Sequence, residues 1–385
     1  MAVQDTKPAP GILNGILERF AGWGNDRIAS TRFQSWASRF FLTRPFVRRD
    51  AARLYDLVAG FVYTQVLLSC IELRILHHAR NRAQDAEHLA AIAGIAPGRM
   101  RTLCQSAAAL GLLVRQADGR YRLGRLGAAM LGVPGLEDMI RHNRLLYEDL
   151  SDPVALLRGK EDTALASYWP YVRGGSSDAI AAETAAEYSA LMASSQALVA
   201  EETLRAISFD GDTHLVDVGG GTGTFLREVA RAAPTLRLTL FDLPEVADAA
   251  AHLPENRALK NRLTIRPGSF LEDPLPNDGD AISLVRVLYD HDDAVVAELL
   301  QKVFDALPAG GRLILSEPMS GGARPSRSGD AYFGFYTMAM TTGQPRSPER
   351  HRVLLERAGF DRIQLHSADR PFVARIMSAH RPVQV

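Results

Sequence analysis

The stretch LVRVLYDHDD, residues 284–293, sets a phenol, an imidazole and three carboxylates (Tyr289, His291, Asp290, Asp292 and Asp293) straight after a largely apolar run. Side chains of these types at the end of a buried strand can take, give or orient a proton. Glu317 closes a second such run in LPAGGRLILSEP and adds another carboxylate. A third run, THLVDVGGGTGTFLREVARAA, carries a strand at Leu215 to Val218 through Gly219, Gly220, Gly221 and Gly223 and opens a helix near Thr224. Glycine has no Cβ, so a ligand approaches its backbone closely, and the unpaired N–H groups of the following helix point toward the same space. Asp242 ends LRLTLFDLP, where a carboxylate accepts two hydrogen bonds from ribose hydroxyls or sits beside the helix that Pro244 and Glu245 begin. A glycine turn alone also suits dinucleotides or a plain turn, so the surrounding elements have to decide.

Those elements alternate. RLTIRPGSFLEDPLP, DAISLVRVLYDHDD and LPAGGRLILSEP each read as a strand followed by a polar loop, and polar residues recurring at strand carboxyl ends mark the ligand edge of an open α/β sheet. Residues 54–131 read differently. HLAAIAGIAPGRMRTLCQSAAALGLLVRQADGRYRLGRLGAAML gives a short helix, a turn at Pro97 and Gly98, a longer helix and two short strands around ADGR, the pattern of a winged helix. A DNA-reading helix would carry several basic side chains, whereas here Arg99 and Arg101 stand at its start and LCQSAAALGLL follows, so the module is expected to dimerise and to cover a substrate. From about Ile12 to Arg53 aromatic residues mix with seven arginines from Arg27 onward, an amphipathic basic arm that suits either packing on a second subunit or contact with an anionic membrane surface.

Composition bounds the rest. The 385 residues, 46% of them apolar, suffice for two domains, and 44 Lys plus Arg against 44 Asp plus Glu give no bulk attraction for nucleic acid. Cys70 and Cys104 make neither a disulfide framework nor a metal cluster, which fits a reducing cytoplasm. No unbroken apolar run reaches the ~18 residues of a membrane span and no secretory signal opens the chain, so it is not expected to cross a membrane.

In order, LVDVGGGTG, FDLPEV, GSFLEDPLP, LVRVLYDHDD, LPAGGRLILSE and SPERHRVLLERAGF resemble the S-adenosylmethionine-dependent O-methyltransferases of the plant caffeate and animal hydroxyindole type, over about residues 54–380. The resemblance implies an α/β protein: a Rossmann-like class I methyltransferase domain (196–385), an α-helical winged-helix dimerisation domain before it (54–195), the amphipathic arm (1–53), and a homodimer. It implies that Gly219 and Gly221 line the methionine part of the cofactor, that Asp242 binds its ribose, and that Ser269 and Phe270 flank its adenine. Arg286 matches a basic residue three before the family's catalytic base, and Tyr147 a cofactor-contacting tyrosine. A dinucleotide dehydrogenase fits the glycine turn and little after it, and a non-catalytic winged-helix regulator that senses the cofactor would need the basic recognition helix that is missing.

The chain departs from the family twice. Ser269 replaces the acid of the usual GDF or GDM, a change a hydroxyl tolerates. Tyr289 stands where the family has its general-base histidine, and a phenol of ordinary pKa about 10 is a poor base at neutral pH. Of the two glutamates that flank that histidine, one matches Glu317 and the other falls on Pro345. Either His291 or Glu317 does the base work, or the reaction rests on holding an oxygen lone pair in line with the activated methyl group, with Tyr289 as orienting or packing residue. TRPFVRRDAARLYDLVAGFVYTQVLLSCIELRIL together with LVRVLYDHDD is similar to the carotenoid O-methyltransferases of purple phototrophic bacteria, which act on the tertiary hydroxyl of hydroxyneurosporene or demethylspheroidene. A related group that methylates a bacteriochlorophyll precursor at carbon also has tyrosine there, and a phenolic or polyketide acceptor is the further alternative. Met192, Phe333, Phe335, Tyr336, Met338 and Met340 fall where the family builds its acceptor pocket, an apolar wall suited to a lipophilic carotenoid alcohol. With such an acceptor the expected location is cytoplasmic, or peripheral on the inner or photosynthetic membrane through the arm.

Overall fold

Residues 25–168 and 196–383 are described in a computed structural model. They fall into two units that divide at Arg125 and Leu126. In the first, helix α1 (Arg44–Glu72) starts on Pro45 and runs 29 residues before a left-handed Arg74 turns the chain. Helices α2 (Ala86–Ala93) and α3 (Pro97–Ala109) follow, and strands β1 (Leu113–Arg115) and β2 (Tyr121–Leu123) form the expected hairpin, with Leu113 opposite Leu123. Asp85 caps α2 by accepting from the His88 amide, and Gly94 ends it in the left-handed conformation. Cys70 and Cys104 are buried free thiols, and burial pushes their pKa values up to about 12 and about 11.

Only Leu68, Cys70 and Ile71 of α1 are buried, while Leu54, Leu57, Val58 and Phe61 lie exposed. By length and composition α1 is apolar enough to cross a membrane. A search for an unbroken apolar run misses this because Thr64, Gln65 and Ser69 interrupt the stretch without charging it.

The second unit is built on a seven-stranded sheet in the order β5-β4-β3-β6-β7-β9-β8. Strands β3 (His214–Val218), β4 (Arg237–Asp242), β5 (Leu263–Pro267), β6 (Ala281–Val285) and β7 (Arg312–Glu317) are parallel, and β9 (Arg375–His380) runs antiparallel to both β7 and β8 (Asp361–Leu365). Every residue of β3 and β6 is buried, as expected of parallel strands covered on both faces. Phe225, Leu226 and Val229 of helix α5 (Thr224–Ala232) pack with Leu215, Leu238 and Leu240; Val296, Leu299, Leu300 and Val303 of helix α7 (Asp293–Ala306) join Val216, Ile282 and Leu313 in a second cluster. Between these helices, α6 (Pro244–His252) follows Asp242 directly. The strand order reverses between β3 and β6, so the loops after β3, β4 and β6 open onto one crevice at the carboxyl edge.

The two units part well before the boundary expected at 195. Helix α4 (Leu136–Asp149), with the short helices Pro153–Leu157 and Ala164–Tyr168, packs against α8 (Gly334–Met340): Leu146, Leu156 and Leu165 share a cluster with Tyr336, Ala339 and Met340. Buried apolar surface ties these helices to the sheet-bearing unit, which the sequence order of the segments does not reveal.

Gly220 sits where added volume has no room, since a Cβ there would lie 2.4 Å from Asp217 Oδ2 and 2.5 Å from Leu240 Cδ1. Gly220→Ala is expected to lower unfolding stability by about 1–3 kcal/mol, the range for overpacking, as read by urea denaturation.

Candidate active site

The glycine turn is set by its floor. Ser283 Oγ donates to Asp217 Oδ1 (2.6 Å), while Asp217 Oδ2 is buried without a hydrogen-bond partner. Burial pushes the Asp217 carboxyl up to about 7 against that bond. Asp242 ties the turn to β4: its carboxylate accepts from the Gly221 amide (2.7 Å) and the Leu243 amide (2.8 Å), and burial nevertheless raises its pKa to about 6. Gly219 has a positive φ of 69°, and a Cβ there would lie 2.9 Å from Val287 Cγ2 and 3.9 Å from the Phe270 ring; Gly221, at φ 60°, would meet nothing within 4 Å. Gly219, Gly221, Phe270 and Asp242 therefore gather at one crevice. A buried carboxylate oxygen beneath an open glycine backbone fits a ligand bearing an ammonium and hydroxyls, as S-adenosylmethionine does. Ser269 is held by its own loop: its amide donates to Asp273 Oδ2 (2.8 Å), and its hydroxyl accepts from the Leu271 amide (3.3 Å).

The three acids of YDHDD have three different surroundings. Asp292 caps α7 by accepting from the Ala294 and Val295 amides (2.9 Å each). Asp293 binds the Arg346 guanidinium (2.6 Å) and also Arg350. Arg346 is itself buried, donates to the carbonyls of Leu288 and His291 (2.7 Å each), and so closes the loop from behind. Asp290 is half-buried beside Arg286 and Tyr289, its Oδ1 buried and unpartnered, and desolvation raises its pKa well above the carboxylate range despite the Arg286 charge.

Glu317 is wholly buried and accepts from the amides of Val287 and Leu288 (2.9 Å each) and of Tyr289 (3.4 Å). Burial lifts its pKa to about 7 against those three bonds. The loop begins with Arg286 at φ 59°, a left-handed conformation costly for a residue with a Cβ, which this clamp holds in place. Burial works against the Arg286 charge, yet Tyr289 and Asp290 hold the guanidinium firmly protonated. The Tyr289 pKa is raised above that of a free phenol, first by burial and then by the Asp290 charge, with Arg286 opposing.

The Tyr289 ring meets Phe333 edge-on at 5.9 Å, and Phe333 in turn meets Tyr332 (5.1 Å) and Tyr336 (6.1 Å). His291 lies on another side of the loop, edge-on to Phe270 at 5.4 Å, and burial lowers its pKa. Tyr289, Phe333 and Tyr336 thus share one wall, while His291 packs with a residue expected beside the adenine. Phe335 packs half-buried against the Tyr336 cluster; Met340 is 1% exposed inside it, and Met338 is 36% exposed. Met192 lies outside the described residues. Tyr147 is on α4, one turn beyond Asn143, whose Oδ1 accepts from the Tyr332 hydroxyl (2.9 Å). Sequence reasoning missed His142, Asn143, Tyr332 and Arg346. Each acts through a partner far away in the chain, so no local spacing announces it.

The O-methyltransferase domain family matches residues 147–361, and the O-methyltransferase dimerisation domain family matches residues 55–132. The chain belongs to the O-methyltransferase family. It is accordingly an S-adenosylmethionine-dependent enzyme that carries the family's dimerisation module. It is 50% identical, over 92% of its length and 93% of the relative's, to demethylspheroidene O-methyltransferase of Cereibacter sphaeroides, and 48% identical, over 92% and 88%, to that of Rhodobacter capsulatus. The solved structure of human N-acetylserotonin methyltransferase with SAM superposes with a TM-score of 0.73 at 22% identity, covering 87% of this chain and 98% of that one, which shows the shared fold.

Asp242→Ala is expected to weaken S-adenosylmethionine binding by about 1.5–3 kcal/mol, the worth of a hydrogen bond to a charged group. Because burial raises the Asp242 pKa to about 6, its carboxylate is ionised above that pH and neutral below it. Wild-type affinity should fall as pH drops through 6, and the variant should lose that dependence in calorimetric titrations.

Proposed function

We propose that the protein transfers a methyl group from S-adenosylmethionine to the tertiary hydroxyl of a carotenoid of the hydroxyneurosporene or demethylspheroidene type. The observation that carries this reading is the 50% identity, spanning 92% of this chain, to a demethylspheroidene O-methyltransferase. The site is consistent with it. The bound cofactor supplies a sulfonium-activated methyl group, and Asp242 with the Gly219 to Gly221 backbone is the set we assign to hold it. The phenol of Tyr289 stays protonated at neutral pH, so we assign it the role of orienting group beside Arg286 rather than base. Glu317 has its carboxylate committed to three backbone amides, and we assign it to supporting the loop. An alkanol loses little by this arrangement, because its proton need leave only as the new bond forms. Incubation with labelled S-adenosylmethionine and a panel of carotenoid alcohols, chlorophyll precursors and phenols should label the carotenoid alcohols; label confined to a carbon of the chlorophyll precursor or to phenols would overturn the assignment. With the carotenoid acceptor, Tyr289→Phe should slow turnover by roughly tenfold or less, the cost of one hydrogen bond. A thousandfold loss, with a rate that climbs as the phenol ionises, would make the tyrosinate the base.

The arm adds a membrane-proximal element to this reading. Arg27, Arg32, Arg39, Arg44, Arg48, Arg49 and Arg53 are all exposed, as are Trp36, Phe41, Leu42 and Phe46, and all lie before the matched dimerisation domain begins at residue 55. Such a surface suits the anionic bilayer in which a carotenoid dissolves. Binding to liposomes should require acidic lipid and fade as salt rises beyond 0.1 M, where charges are screened over about 10 Å. Equal sedimentation with neutral liposomes would remove the membrane role.

A further inference from the structure

We infer that the proton of the acceptor hydroxyl leaves through Tyr336 to His142, a pair built from α8 and α4 that stands apart from the residues at the family's base position. This inference rests on the methyl-transfer reading above and names a residue that neither the glycine crevice nor the YDHDD loop contains.

His142 Nε2 lies 2.9 Å from the Tyr336 hydroxyl. Tyr336 is 5% exposed and stands on the same aromatic wall as Tyr289, through Phe333, while His142 is half-buried and keeps part of its surface accessible. Tyr332, on the turn that leads into α8, stacks on Tyr336 at 6.0 Å and is pinned to Asn143, the neighbour of His142 on α4, so a second hydrogen bond fastens this segment to α4 beside the pair. The charged and titratable groups that act on the pair are Arg286 on His142, and Tyr289, Tyr332, Arg286 and Asp290 on Tyr336. Burial, and then the Arg286 charge, lowers the His142 pKa to about 4, so its imidazole is neutral at physiological pH and has a lone pair to offer. The other candidates are less available. Glu317 is committed to amides, His291 packs on Phe270, and the Tyr289 phenol is held protonated.

A weak base suffices for the chemistry. As the acceptor oxygen forms its bond to the methyl carbon, the carbon–sulfur bond breaks and its electron pair stays on sulfur, leaving a protonated ether oxygen that is a far stronger acid than imidazolium. The acceptor proton passes to Tyr336 Oη while the Tyr336 proton passes to His142 Nε2, with His142 in the Nδ1–H tautomer. The hydroxyl of Tyr336 is regenerated and one proton rests on His142, to be released to water. Tyr336 is then a catalytic residue and His142 a positioning and proton-holding partner.

His142→Gln keeps a hydrogen-bonding group but cannot hold a net proton. With saturating cofactor and the acceptor that wild-type turns over best in the panel above, it should lower kcat about a hundredfold or more, in the range of general-base losses, while KM and S-adenosylhomocysteine affinity by calorimetry change less than threefold. Tyr336→Phe should lose as much as His142→Gln, and the double variant no more than either, since the two act as one unit. Added imidazole should restore part of the His142→Ala rate, and wild-type kcat should stay flat down to about pH 5 before falling as His142 protonates. A kcat within threefold of wild-type in His142→Gln, or a loss that follows weakened S-adenosylhomocysteine binding and that imidazole does not relieve, would overturn the pair. If the preferred acceptor proves to be a phenol, the carotenoid assignment falls while the same variants still decide the role of His142.

Discussion

A single buried carboxylate fixes the shape of this crevice. Glu317 ends β7 and reaches across to the neighbouring strand's loop, where it accepts the amides of Val287, Leu288 and Tyr289. Without it those three N–H groups would be buried and unpaired, each at a cost comparable to a lost hydrogen bond, and the left-handed Arg286, whose amide donates to the Ser316 carbonyl, would lose the clamp on the loop it opens. Arg346 grips the same loop from behind through the carbonyls of Leu288 and His291. Held by hydrogen bonds from both sides, the loop sets Tyr289 against the aromatic wall and His291 against Phe270.

The same burial governs the electrostatics. Asp217, Asp242, Asp290 and Glu317 are all pushed toward their neutral forms by removal from water, and Arg286 is the cation that opposes this in the YDHDD loop. A site of this kind generates little base strength. It holds groups in place, and displacement at an already activated carbon gains most from that, since positioning two bound reactants supplies roughly 7–11 kcal/mol of a barrier.

Within the sheet-bearing unit, position along the chain and position at the crevice differ. Helices between Leu136 and Tyr168 precede the sheet in sequence but pack on the segment after β7, through His142 with Tyr336, Asn143 with Tyr332, and Thr163 Oγ1 donating to the Ala339 carbonyl (2.6 Å). The aromatic wall is thus assembled from segments nearly two hundred residues apart, whereas the glycine crevice comes from consecutive strand–loop units.

Local rules were enough for the glycine crevice. Gly219, Gly221 and Asp242 stand at the ends of strands whose apolar runs are short and continuous, so the sequence itself determined the α/β sheet, the glycine crevice, the winged-helix hairpin and the position of Glu317 at a strand end. The aromatic wall was beyond such rules. Met340 has the same apolar character as a pocket residue and is core, because Leu146, Leu156 and Leu165 come from elsewhere to cover it. Residue type does not reveal that the Glu317 carboxylate carries three amides, or that His142 meets Tyr336 at 2.9 Å. Residue type and period specify which face of an element is buried; which polar groups meet inside is decided by long-range packing, and only the tertiary structure records it.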